Sequence, residues 1–298
     1  SSLTLVDCKR LTALPCLPGI YSLLVYRCEH LESLPPFPKL FELTLMRCSR
    51  LALIATMPAL TKLDVECCDR IESLPPFPRL AALSIDWCDR FTSLPCLPAL
   101  TKLDVGRCER LESLPPFSEL DTLMIDRCER VTSLPCLPAL TSLDVHFCDH
   151  LESLPPFPRL AALRIELSKG PTSLPCLSAL TKLDVTCCDR LESLPPFPRL
   201  TELIVYSCER LTSLPLLPAL TKLSVKGCNR LESLPPFPQL AALTIGKCNK
   251  LTSLPLLPAL TKLDVERCEH LESLPLLQEL AELRIGKCNR LISLPCLP

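Results

Sequence analysis

Apolar residues recur in one short pattern that superimposes on itself in rows of twenty, with no insertion or deletion. The row from Leu100 to Glu119 reads L-T-K-L-D-V-G-R-C-E-R-L-E-S-L-P-P-F-S-E, and the general form is L-x-x-L-x-V-x-x-C-x-x-L-x-S-L-P-x-L-P-x. The 298 residues hold about fifteen rows. In L-x-x-L-x-V, apolar and polar residues alternate, which predicts a short strand with one buried face. Leu103 and Val105 should point inward and Asp104 outward. Each row returns the chain in the same direction, so successive strands should stack in parallel. At about 4.8 Å per strand they would build a sheet roughly 65–70 Å long.

The other half of each row, C-x-x-L-x-S-L-P-x-L-P, carries prolines at near-fixed points. Fourteen fall on the position of Pro15 and twelve on that of Pro18. Proline fixes φ near −65° and disfavours helix, which predicts an extended, polyproline-like return. An outer helix about 10 Å wide would splay strands spaced at about 4.8 Å, whereas thin returns stack almost as closely as strands do. The expected fold is therefore a repeat solenoid over 1–298. It would be a single domain, gently curved or twisted, with one long parallel β-sheet and a nearly helix-free convex side. Ser1 begins mid-coil and Pro298 ends in a return, so both terminal coils are expected to be uncapped. A longer period overlies the first: L-E-S-L-P-P-F-P (from Leu31, Leu151 and Leu191) alternates with x-T-S-L-P-C-L-P (from Phe91 and Val131).

Composition narrows the class. An apolar content of 48 % supplies a core and excludes disorder. Six glycines without a three-residue period exclude collagen. No apolar run is long enough for a membrane span, and no secretory signal is expected. A net charge of −1 gives no long-range attraction for nucleic acid or anionic lipid, so neither is expected as a partner.

Of 21 cysteines, fourteen occupy one repeat position, from Cys8 to Cys288, with Ser168 the exception. A column of parallel side chains is poorly placed for disulfides, and cysteine is readily buried as a small apolar residue. Three C-x-H triplets (at Cys28, Cys148 and Cys268) lie six rows apart and cannot converge on one ion, and no C-x-x-C pair occurs, so no metal is expected. Buried reduced thiols imply an intracellular, cytoplasmic location. Five further cysteines (Cys16, Cys96, Cys136, Cys176, Cys296) occupy returns and are expected to face inward, as leucine substitutes beside Leu216 and Leu256. Cys67 and Cys187 fall on the strand face and are expected to be the most reactive thiols.

Fifteen copies in one chain permit an internal comparison. Variation concentrates at the polar strand position and at the two residues before the Cys, which should project from the exposed face of the sheet or its edge. The only Trp and two of three Tyr lie there. Aromatic and Arg side chains anchor interfaces, and drift on a solvated surface seldom keeps Trp, Phe and Leu together. Trp87, Arg107, Asp126, Arg127, His146, Phe147 and Leu167 thus form a candidate partner-binding patch, with Tyr26 and Tyr206 as outlying candidates. Acid–base pairs after the Cys, such as Glu109-Arg110 and Glu129-Arg130, read as a solvated, self-neutralising edge. No phosphate loop, H-E-x-x-H or G-x-S-x-G occurs, and the four histidines share no compact motif. The chain is expected to be no enzyme, without catalytic residues or cofactor.

The twenty-residue pattern resembles a leucine-rich repeat (LRR) along the whole chain. In many members of that family an Asn stands where this chain has its Cys. The segment Cys108-Glu109-Arg110-Leu111-Glu112-Ser113-Leu114-Pro115 resembles the LRR region of plant nucleotide-binding immune receptors. That likeness implies recognition of pathogen proteins through the variable strand face. The period and the L-P-x-L-P resemble LRR effectors of pathogenic bacteria, some of which carry ubiquitin-ligase domains. Those have N-x-L where this chain has C-x-x-L, and L-P-x-L-P-x-x-L where it has L-P-x-L-P-x-L. The resemblances imply the fold and a binding role, and no catalytic residue. Two functions follow as expectations: a protein-recognition module using the strand face, or a structural solenoid that self-associates head to tail through uncapped ends.

Overall fold

The rows fold into one recurring coil in the computed structural model, which describes residues 1–166 and 169–295. Two units, Ser1–Leu151 and Glu152–Pro298, are treated separately. The first holds eight five-residue strands, from Ser2–Val6 to Ser142–His146, and the second seven, from Ala162–Glu166 to Glu282–Gly286. Strands within each unit pair in parallel at an offset of one row, as in Leu103↔Leu123 and Val185↔Val205. The expected β-solenoid with extended returns is what forms, and no helix occurs among the described residues. Ser33–Leu34 and Leu53–Ile54 add a two-residue parallel pair on the return side of the first unit.

The core is built at two spacings. Strands bury every second residue, such as Leu103 and Val105. Returns bury every third, as in Leu111, Leu114, Phe117 and Leu120. Three residues per turn is the polyproline II period, so the fixed prolines set which side chains reach the core. This corrects the expectation for the return cysteines. Cys16, Cys96, Cys136 and Cys176 lie between two inward positions and are exposed. Leu216 and Leu256, at the same position, are 63 % and 68 % exposed. Cys296 lies outside the described residues. Two turns recur along the coils: Leu111 N–H donates to the Cys108 carbonyl (3.2 Å), and Leu100 N–H to that of Leu97 (3.1 Å).

Between strand and return, the residue before the Cys adopts a left-handed conformation. Among the described residues, thirteen non-glycine residues have φ between 48° and 56°, and Gly227 has φ 71°. An L-residue there is disfavoured by about 1 kcal/mol or more. The geometry is held from outside the residue: Arg107 N–H donates to the Asp126 carbonyl of the next strand at 2.8 Å, and Arg127 N–H to that of His146 at 2.9 Å. The kink also breaks the alternation of the strand. Two consecutive residues face outward, and the Cys that follows turns into the core.

There the thiols meet backbone carbonyls. The Sγ of Cys128 lies 3.5 Å from the Asp126 carbonyl and 3.7 Å from that of Val105 in the preceding coil. Burial raises the pKa of several of these thiols, to about 12 for Cys88, Cys148 and Cys248 and about 11 for Cys128. Thr side chains at the strand entry tie coils together in a similar way, with Thr101 Oγ1 donating to the Ala81 carbonyl at 3.0 Å. At the edge, bases after the Cys pair with the Glu of the preceding coil instead of their acidic neighbours: Arg90–Glu72 (3.0 Å) and Arg130–Glu112 (3.4 Å).

Two outcomes test this description. Gly227→Ala places a Cβ 3.0 Å from Ser207 Oγ at positive φ and should cost about 1–2 kcal/mol in denaturant titration. Gly19→Ala, with open space around it, should be neutral or slightly stabilising. The ladder thiols make the second. The folded values of Cys88, Cys128, Cys148 and Cys248 lie above the roughly 8.5–9 of an unfolded thiol, so the unfolded chain loses these protons first as pH rises. Their stabilising contribution is complete below about pH 9 and declines above it, up to about 1.4 kcal/mol per pH unit for each thiol. The thermal midpoint should fall steeply between pH 9 and 11, and less steeply in Cys148→Ala; a flat profile would contradict the buried ladder.

Candidate partner-binding face

The kink before each Cys places two columns of outward side chains side by side, one on the last strand residue and one on the left-handed residue. In the first unit these columns connect. The Arg107 guanidinium stacks over the Trp87 ring at 4.9 Å from its centroid, and Arg127 over Phe147 at 5.1 Å. Asp126 joins the two stacks, 3.6 Å from Arg107 and 3.9 Å from Arg127. Arg107 also pairs with Asp86 at 3.2 Å. Gly106 makes that pairing possible, because a Cβ there would collide with the Asp86 carboxylate. His146 contacts Asp144 through Nε2, and its ring lies 6.4 Å from that of Phe147. Trp87 is 50 % exposed and Phe147 39 %, so both present their remaining surface outward.

Carboxylates crowd the middle of this face. Burial, and then the neighbouring Asp86 charge, raises the pKa of Asp104 from its ordinary value. Arg107, between Asp86 and Asp126, is the cation that offsets the crowding.

The structure therefore brings Trp87, Arg107, Asp126, Arg127, His146 and Phe147 into one contiguous array. Leu167 lies outside the described residues. Tyr26 sits three rows before Trp87, with Arg27 over its ring at 5.3 Å. Tyr206 belongs to the second unit and is 45 % exposed. Sequence reasoning overlooked Tyr21 and Phe41, which are 45 % and 46 % exposed with ring centroids 6.3 Å apart. Their signal was present: the first strand-entry position holds Thr or Ala in most rows and aromatics in these two neighbours. Cys67 and Cys187 are half-buried, and burial raises both thiols. The exposed thiols of the returns are thus the more accessible ones. Among the described residues, no three His, Cys, Asp or Glu side chains are placed to hold a metal ion, and no helix is long and apolar enough to cross a membrane.

No protein-family profile matches this sequence, and no curated protein matches it. Solved structures do. A leucine-rich repeat protein from Bacteroides ovatus shares the fold with a TM-score of 0.60 at 17 % identity, over 97 % of this chain and 86 % of that one. A leucine-rich cell surface protein from Faecalibacterium prausnitzii aligns with a TM-score of 0.42 at 12 % identity, over 92 % of this chain and 78 % of that one. The first likeness, together with the twenty-residue coils, shows a leucine-rich repeat fold.

Trp87 is the only tryptophan, so its emission reports on this array directly. Arg107→Ala should shift the emission to the red and increase quenching by acrylamide. It should also destabilise the chain by about 1 kcal/mol at pH 7, a modest value because these charges are partly solvated. The penalty should shrink towards pH 4. Folding disfavours the charge on Asp104, and its protonation removes part of the repulsion that Arg107 offsets.

Proposed function

We propose that this leucine-rich repeat solenoid is a protein-recognition module that holds its partner against the strand face of Ser1–Leu151, centred on Trp87, Arg107, Arg127 and Phe147. The observation that carries this reading is the two stacked cation–aromatic pairs joined through Asp126. Trp, Phe and Arg supply large contact areas, and their rotamers are already restricted by stacking and ion pairing. Less side-chain entropy is then lost when a partner binds. Around them Met124 (38 % exposed) and Asp104 add apolar and acidic contacts on the strand surface. The array offers stacking and charge, and its histidine is engaged with Asp144 and Phe147, which suits binding and not catalysis. The resemblances to plant immune receptors and bacterial effectors imply the same role. A reducing, intracellular setting fits the exposed thiols at Cys96, Cys136 and Cys176, which would cross-link copies under oxidising conditions.

Affinity capture with the purified chain as bait, followed by titration of the captured partner, tests the assignment. Trp87→Ala and Phe147→Ala should each weaken binding tenfold or more, while Leu216→Ala and Leu256→Ala on the return side should stay within twofold. Full affinity in the Trp87→Ala/Phe147→Ala double variant, or loss only in the return-side variants, would move the interface elsewhere.

A further inference from the structure

In the second unit the same two columns are interrupted by glycines. Gly227 replaces a side chain in the left-handed column, and Gly246, one coil further on, replaces one at the last strand residue. The result is a cleft of about 360 Å³ walled by Tyr206 on one side and Arg267 on the other. Lys226 and Lys247 flank the two glycines, with both side chains exposed. Gly246 is buried, and a Cβ on it would come within 3.3 Å of Lys226 Cγ, so its lack of a side chain is what keeps the floor open. Glu266 also lines the cleft, but its carboxylate lies 3.5 Å from its own neighbour Arg267.

The surrounding charge points the same way. Residues 221–260 carry five bases (Lys222, Lys226, Arg230, Lys247, Lys250) and one acid, Glu232, in a chain whose net charge is −1. Glu232 is itself paired with Lys250 at 3.0 Å. The acid that precedes the base after the Cys elsewhere, as in Glu109-Arg110, is Asn229 in one of these coils and Asn249 in the next. The substitutions to Gly and Asn thus remove both bulk and negative charge from one place.

We propose that this cleft binds a carboxylate-bearing peptide segment, an acidic stretch of a protein partner. One Asp or Glu side chain enters over Gly246 and lies between the ammonium groups of Lys226 and Lys247, while the Tyr206 ring forms the apolar wall for its stem. A peptide is favoured over nucleic acid because single-stranded nucleic acid is held by successive stacking aromatics along a basic groove, and Tyr206 is the one aromatic lining this cleft. The inference rests on the reading of the strand face as a binding face, but uses only residues of the second unit.

Fluorescence anisotropy with a labelled, end-capped hexaglutamate peptide tests it on the full chain. Saturable binding should be at least tenfold tighter than for hexaglutamine and should weaken as salt is raised. Lys226→Glu and Lys247→Glu should each lower affinity tenfold or more, and Gly246→Leu about fivefold without changing charge. Lys9→Glu, which makes the same charge change in the other unit, should stay within twofold. Should Gly246→Leu melt early, Lys226→Gln serves as the mild variant, with an expected loss of about fivefold. Affinity within twofold of wild type in Lys226→Glu and Lys247→Glu overturns the proposal. So does tighter binding of an oligothymidylate or of phosphatidylserine vesicles than of the peptide. Trp87→Ala should leave hexaglutamate binding unchanged, so loss of partner capture and loss of peptide binding can be told apart.

Discussion

One backbone constraint governs the chemistry of this chain: the left-handed residue that precedes each Cys. A strand that kept its alternation would send every second side chain inward, and the Cys would face solvent. A single residue at φ near +50° shifts the phase, sends two neighbours outward and turns the thiol inward. The conformation is unfavourable for each non-glycine residue taken alone. It persists because the residue's N–H is claimed by the carbonyl of the next strand, as Arg107 by Asp126, and because the thiol behind it fills a dry position beside two carbonyls. The first contact, and the thiol's approach to the carbonyl of the preceding coil, do not exist within one isolated coil. The local cost is met by stacking, so a coil is stable only between neighbours, as in other solenoids.

The strand, the inward cysteine and the helix-free return were legible from residue order because each depends on local spacing alone. Leu103-Asp104-Val105 alternates, and proline locks the return. The assignment of Cys96 and Cys136 to the interior failed for a physical reason that was also in the sequence. Between Leu94, Leu97 and Leu100 the spacing is three, the polyproline period, and the residue after the proline is out of phase with it. Chemical type suggested burial, while backbone geometry decided exposure. The left-handed position was less readable. Arg, Trp, Phe and Lys occupy it, and only Gly227 displays the residue normally associated with positive φ. Of the candidate face, the residues could be named from their variation. Their joining through Asp126 could not, since it depends on the angle at which each side chain leaves the kink.

The two units use the same columns in opposite ways. In the first, side chains of opposite charge and aromatic rings fill neighbouring places, and Arg107 is shared between Asp86 and Asp126. The array is close to neutral and relies on shape and stacking. In the second, Gly227 and Gly246 empty two places while lysines surround them, so an unfilled cleft with excess positive charge results. Identical backbone geometry thus supports a projecting surface in one stretch and a receiving one in another, and only side chains outside the core differ. Core residues can remain nearly constant because none of these differences reaches them.

The kink also filters which residues can vary there. β-Branched side chains are poorly tolerated at positive φ, and none of Val, Ile or Thr occurs at the position before the Cys. The neighbouring column has extended backbone and accepts Val6 and Thr186. What the left-handed column does hold is five Arg, two Lys, Trp and Phe, together with smaller residues. Long cations and flat rings have an unbranched Cβ and enough reach to lie over the next coil, which is how Arg107 covers Trp87. They are also among the side chains that contribute most at protein interfaces. The same steric rule that shapes the coil therefore leaves the exposed column populated by residues suited to binding, before any particular partner has acted on the sequence.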